Sequence, residues 1–138
     1  MSAQLAVQKA LRARLVASPG VTALVPADAI IDRNKRPAPS PSIVLGESQA
    51  VDEGESIARQ RLRVFHTVHV WKQEPSLTGA TAICAQIRAA VMSGRFDLSP
   101  AWHCADVHIA DIRTMRDRDG ETSHGVVTVD VQAVEVAP

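Results

Sequence analysis

The chain has no tyrosine, and only two phenylalanines and two tryptophans. That is too few rings for a platform on which nucleic-acid bases stack. Cysteine is equally scarce. Cys84 and Cys104 cannot make a disulfide framework, and both read as small buried hydrophobes in a reduced compartment. Neither sign of charge prevails: 15 Lys+Arg stand against 15 Asp+Glu. A general nucleic-acid binder would carry a basic excess, and balanced charge also removes a repulsive barrier to self-association. No apolar run reaches the ~18 residues of a membrane helix, and the N-terminus lacks the charged-then-apolar layout of a secretory signal. Folding in the cytoplasm without membrane contact is therefore expected. There is no glycine-rich phosphate loop, and paired carboxylates flanking a cleft are missing, so no cofactor is expected.

What is present fits one globular unit spanning residues 1–138, with 46% hydrophobic residues and a mean hydropathy of zero. The organising stretch is Ile57–Trp71. Leu62, Val64, His66, Val68 and Val70 alternate with Arg59, Arg61, Arg63, Phe65, Thr67, His69 and Trp71. A period of two puts the first set on a buried sheet face and the second on the opposite face. Fifteen extended residues would span about 50 Å, far more than a usual strand. The upstream strand read around Ile43–Leu45 is shorter. The pair is therefore expected to leave a long protruding hairpin, with the acidic loop Ser48–Ser56 standing off the body and a free strand edge for a partner.

A helix is expected over Ala3–Ala17, with Ser2 as N-cap, an apolar stripe of Val7, Leu11 and Leu15, and Leu5 beside it. Pro37, Pro39 and Pro41 make Arg33–Ser42 an extended connector, or an arm laid on a neighbouring copy. A second helix is expected after Ser76 or Thr78, running to Met92 on Ala80, Ile83, Cys84, Ile87, Ala90 and Val91. Phe96–Leu98 reads as a short strand or bridge. Val107–Arg116 and Val126–Val136 pair through a two-residue turn at Asp119-Gly120. That register faces Ile112 with Val127 and fails beyond Ala110, which places a bulge near Ala110-Asp111. The fold class is α+β: a mostly antiparallel sheet with two helices on one face.

Chemical motifs are thin. His66 and His69 point to opposite faces and cannot share an ion. His103, Cys104 and His108 lack a fourth ligand, so structural, hydrogen-bonded histidines are the plainer reading. A small metal-dependent enzyme would need that group to converge with His66 or His124. Gly46–Ala50 grazes a nucleophile elbow, but an acidic loop follows instead of a helix. Asp117–Gly120 looks like the start of a calcium loop, yet its glycine comes too early. The most distinctive charged features are the acidic run Asp52, Glu53 and Glu55 and the arginine row Arg59, Arg61 and Arg63. A solvated face is the plain reading. The other is a charge match between adjacent copies, which would suit a head-to-tail ring.

Several segments, taken in order, resemble the phage tail completion family, also called tail terminator or head–tail joining proteins. They are Gln4–Leu15, Pro41–Gly46, Val68–Trp71 followed by an alanine-rich helix, and above all Arg116–Val127. Similar proteins occur in gene transfer agents. The resemblance implies a structural virion protein of the tail or neck, with no catalysis. It would form a homo-oligomer, a six-subunit ring. The ring would cap the tail tube, meet the tube protein on one side and a head–tail connector or stopper on the other, and let DNA pass through its lumen. A stopper ring elsewhere in the neck is the alternative. The interface would then draw on Asp52, Glu53, Glu55, Arg59, Arg61 and Arg63, and on Arg116, Asp117, Arg118 and Asp119 of the closing hairpin.

Overall fold

The computed structural model describes residues 1–32, 39–54 and 58–136. Helix α1 spans Ala3–Ala17, as the spacing of its apolar residues requires, and Ser2 Oγ accepts the Leu5 N–H at its start. Val7, Leu11 and Leu15 are fully buried. Leu5, expected beside them, is 42% exposed instead, and the small side chains of Ala3 and Ala6 take the buried positions. The single turn α2 (Pro19–Thr22) follows, and then the two-residue strand β1 (Ile30–Ile31). Helix α3 (Thr78–Val91) buries the expected stripe of Ala80, Ile83, Cys84, Ile87, Ala90 and Val91. Ser76 Oγ accepts the Thr78 N–H, but the main cap lies further upstream. The Glu74 carboxylate takes the N–H groups of Gly79 and Ala80 at 2.7 and 3.0 Å.

Three long strands and β2 complete the sheet: β2 (Ser42–Asp52), β3 (Arg61–Gln73), β4 (Trp102–Arg116) and β5 (Thr122–Glu135). Their order is β1-β2-β3-β5-β4, antiparallel except for the β1–β2 pair. Here one expectation fails. Ser48–Asp52 is strand, not a loop, so β2 runs beside β3 from Trp71 to Leu62 after a bulge between Leu45 and Ser48. On its other side β3 pairs with β5 over its whole length. The long strand is thus the middle of the sheet, with no spare edge, and no long hairpin protrudes among the described residues. Alternation reports which face of a strand is buried, not which of its edges are free. Residues 33–38 of the proline-rich piece and 55–57 of the acidic run lie outside the described part.

Val64, Val68 and Val70 of β3, Val127, Val129 and Val131 of β5, and Ile43 and Leu45 of β2 form one core with the buried faces of α1 and α3. Both helices therefore cover the same side of the sheet. Packing there is close. A Cβ on Gly125 of β5 would come 2.6 Å from Cys84 Sγ of α3, so only glycine lets helix and strand approach this far. Both cysteines are free and buried. Burial pushes the Cys84 thiol up to about 11, which makes it inert.

The closing hairpin keeps its expected register, with Ile112 opposite Val127, and its bulge falls at Ala110 between Ile109 and Asp111. A second bulge, at Ala105, left no signal in the sequence pattern. The turn is longer than two residues. The Asp117 N–H bonds the Thr122 carbonyl, and the Gly120 N–H bonds the Asp117 carbonyl with Gly120 at φ +73°. Asp119 decides this. Its carboxylate takes the Thr122 hydroxyl and the N–H groups of Glu121 and Thr122, a local competition that the Asp-Gly signal alone does not reveal. Phe96 and Leu98 are buried in irregular chain and form no strand.

Candidate functional site

Two helices cover one face of the sheet, and the opposite face carries the chemistry. Strand register assigns Glu47, Gln49 and Val51 of β2 to it, with Arg61, Arg63, Phe65, Thr67, His69 and Trp71 of β3. It adds His124, Thr128, Asp130 and Gln132 of β5 and His103, Asp106, His108, Asp111 and Arg113 of β4. Four of the five histidines lie on this face. His66 lies on the other, as alternation required.

A row of charges crosses the open face. Arg63 Nε stands 3.0 Å from Glu53 Oε1 and 3.5 Å from Asp130 Oδ1. His108 Nε2 is 3.3 Å from Asp130 Oδ2, and its Nδ1 is 3.7 Å from Asp106. Asp130 is only 5% exposed, and Arg63 and His108 are partly exposed; Arg63 Nε itself is buried and, like Asp130 Oδ1, makes no hydrogen bond, so the two meet through charge alone. A carboxylate that deeply buried needs its cation. Arg63 is therefore an internal partner of the sheet before it is anything else. Glu53, expected to reach an adjacent copy, is engaged within the chain.

Further along the same face, His69, His124 and Trp71 stack. The Trp71 and His124 rings lie 3.8 Å apart and nearly parallel. His69 Nδ1 and His124 Nε2 approach to 2.9 Å, and His69 Nε2 lies 3.3 Å from Glu47 Oε1. The three groups thus form a chain of polar contacts, Glu47 to His69 to His124, in which each shared proton has a nitrogen or oxygen within reach on either side. Burial, and then the neighbouring His69, hold His124 below the usual histidine range. Gly46 makes room for the stack, since a Cβ there would sit 2.7 Å from the His69 ring. No cluster of three metal-ligating residues exists among the described residues. His103 and His108 share the open face while Cys104 is buried on the other, so that trio does not converge.

The expectation of hydrogen-bonded histidines fails at His66. It is fully buried, and neither ring nitrogen has a hydrogen-bond partner. Burial lowers its pKa from the ordinary value and so favours the neutral ring. Period-two patterning marks it as an inward residue but says nothing about partners.

The remaining candidates are placed as follows. Asp52 ends β2 and is exposed; Glu55 lies outside the described residues. Arg59 precedes β3 with φ +53°, and Arg61 opens the strand; both are exposed. Arg116 donates to the carbonyls of Glu74 and Pro75, tying the hairpin to the segment before α3. Asp117 and Asp119 shape the turn, and Arg118 projects from it into solvent. Among the described residues the acidic run and the arginine row come together at Glu53–Arg63, and the turn group sits at the opposite end of the sheet.

Comparison with known proteins follows the same direction. The model of the family "Tail completion protein gp17" matches residues 9–133. A chain of the virion of a native gene transfer agent particle shares the fold with TM-score 0.80 and 18% identity, covering 99% of this chain and 100% of that one. The gp17 protein of bacteriophage SPP1 shares it with TM-score 0.60 and 21% identity, covering 94% and 89%. No curated protein sequence matches the chain.

Proposed function

The chain belongs to the gp17 tail completion family, and from that premise we propose that it is a ring-forming terminator, a structural part of a phage or gene-transfer-agent particle. In this reading six copies close into a ring on the end of the tail tube. One side meets the tube protein, the other meets the connector or stopper of the head, and DNA passes through the lumen without being held. The ring works by surface contact and needs neither catalysis nor cofactor.

The observation that carries the reading is the family match across residues 9–133. The open face agrees with it in that its histidines and carboxylates pair with one another. Charges at both ends of the sheet are the contact groups, with exposed Asp52, Arg59 and Arg61 at one end and exposed Arg118 and Asp119 beside the half-buried Asp117 at the other. Glu53, Arg63 and Arg116 support these positions from within the chain, and Glu55 continues the acidic run in sequence.

The test is assembly without the protein. Particles made in its absence are expected to yield unjoined heads and tails of uncontrolled length, and purified chain added back should restore joining. Normal joined particles in its absence would overturn the proposal. Labelled protein located in the neck away from the tube end would convert it to the stopper reading.

A further inference from the structure

Glu47, His69 and His124 come from three neighbouring strands, β2, β3 and β5, and meet in line on the open face. The two imidazole centres lie 5.1 Å apart, and their planes differ by 23°. That separation is close to the longest that a 2.9 Å contact between ring nitrogens permits. Each nitrogen therefore points at the other along the line joining the rings. Such a contact is a hydrogen bond, and it holds one hydrogen between its ends, not two.

Counting hydrogens gives the consequence. A neutral imidazole carries one N–H and an imidazolium carries two. With both rings neutral, one hydrogen fills the shared contact and the other sits on an outer nitrogen. With one ring charged, a hydrogen fills the shared contact and each outer nitrogen, His69 Nε2 toward Glu47 and His124 Nδ1, has its own. The chain is still whole. A further hydrogen can go only into the shared contact, where two N–H groups of two cations would then face each other.

The charges around the pair come from the strands and the closing turn, because the helices cover the other face. Glu47 of β2 faces His69. Asp32, just after β1, lines the same depression as His69. Asp117 of the turn raises the affinity of His124 for a proton, and Arg113 of β4 lowers it. Burial, and then His69, outweigh Asp117 and hold His124 below the ordinary 6.5. The second charge therefore arrives only in acid below that value.

Trp71 is placed to respond. Its ring lies flat on His124, 3.8 Å away and tilted by 7°. It also lines two depressions of the open face, one of about 420 Å³ with Asp32, Glu47 and His69, the other of about 510 Å³ with Asp117 and Asp119. We propose that His69 and His124 form an acid-sensitive latch: closed, the pair holds at most one positive charge, and a second proton parts the rings and frees Trp71 from His124. Opening the latch reshapes both depressions.

The test is nuclear magnetic resonance of the ¹⁵N-labelled chain, titrated from about pH 8 to 4 across the histidine range. Ring nitrogens report the hydrogens of each histidine, and the indole N–H reports Trp71. His69→Gln and His124→Gln assign the signals. The pair is expected to titrate in two coupled steps at least about one pH unit apart, with the Trp71 signal moving in the lower step. In either variant the remaining histidine should titrate in a single step, above the lower wild-type one. Independent single steps in the wild type, unchanged when the partner ring is replaced, would overturn the latch. So would two charged rings with an unmoved Trp71 signal. Should acid unfold the chain before the lower step, the comparison moves to acid unfolding in the His66→Leu background, followed by circular dichroism. Adding His124→Gln there should carry the loss of fold to lower pH; no change, or an earlier loss, would overturn the latch.

Discussion

The two faces of the sheet are held together differently. The helix-covered face is a jigsaw of Val, Ile, Leu and Ala in which most side chains reach zero exposure. The open face is held by cross-strand pairs: Glu53 with Arg63, Arg63 with Asp130, Asp130 with His108, and His69 with His124. Burial of apolar area contributes about 25 cal/mol per Å² and needs no particular partner. Pairs in solvent contribute little each, and mostly set register and shape. The covered face should therefore dominate stability, while the open face remains free to meet other molecules.

Substitutions can break this contrast, and the largest effect is expected at the centre of the covered face. Leu11→Ala leaves a cavity under α1 and should cost about 2–5 kcal/mol in denaturant unfolding. A cost below that of any open-face change would invert the comparison. Gly125→Ala should cost roughly 1–3 kcal/mol by overpacking against Cys84 Sγ, and Cys84→Ala in the same chain should recover part of the loss.

His66 sharpens the contrast from within the covered face. Its folded value is lowered from the ordinary 6.5, so below about that pH the unfolded chain binds more protons than the folded one. Stability is full above that value and is lost as pH falls through it. His66→Leu removes two orphaned buried nitrogens. It should leave stability at pH 8 unchanged or higher and flatten the slope between pH 7 and 5, with His124 supplying what slope remains. A steeper slope in the variant would contradict the orphan assignment. The smallest effect belongs to the open face. A double-mutant cycle on Glu53 and Arg63, both about one-third exposed, should give a coupling of about 0.2–1 kcal/mol that shrinks in high salt.

Much of the covered face was legible in the chain itself. Val7, Leu11 and Leu15 at spacing four gave α1, the stripe from Ala80 to Val91 gave α3, and period-two alternation gave the inner residues of β3. Even the bulge at Ala110 was legible, because an apolar-to-apolar register broke there. Less could be read of the open face. Asp130, His108 and Arg63 are far apart in sequence, and only the β4-β5-β3 adjacency brings them together. The length of β2 is not legible because residues after Leu45 are polar or exposed on both faces, so no alternation marks them. Nor does the sequence show that the long strand is central, since side-chain pattern is blind to backbone partners.

By itself, then, the sequence determined the two helices, the inward residues of the central strand and the register of the closing hairpin. These depend on side-chain periodicity and turn chemistry, which are local. Only the tertiary structure decided which strand is central, which histidine is buried without a partner, which charges are neutralised within the chain and which edges stay open. Those depend on strand order, and strand order arises from contacts between residues that the chain keeps far apart.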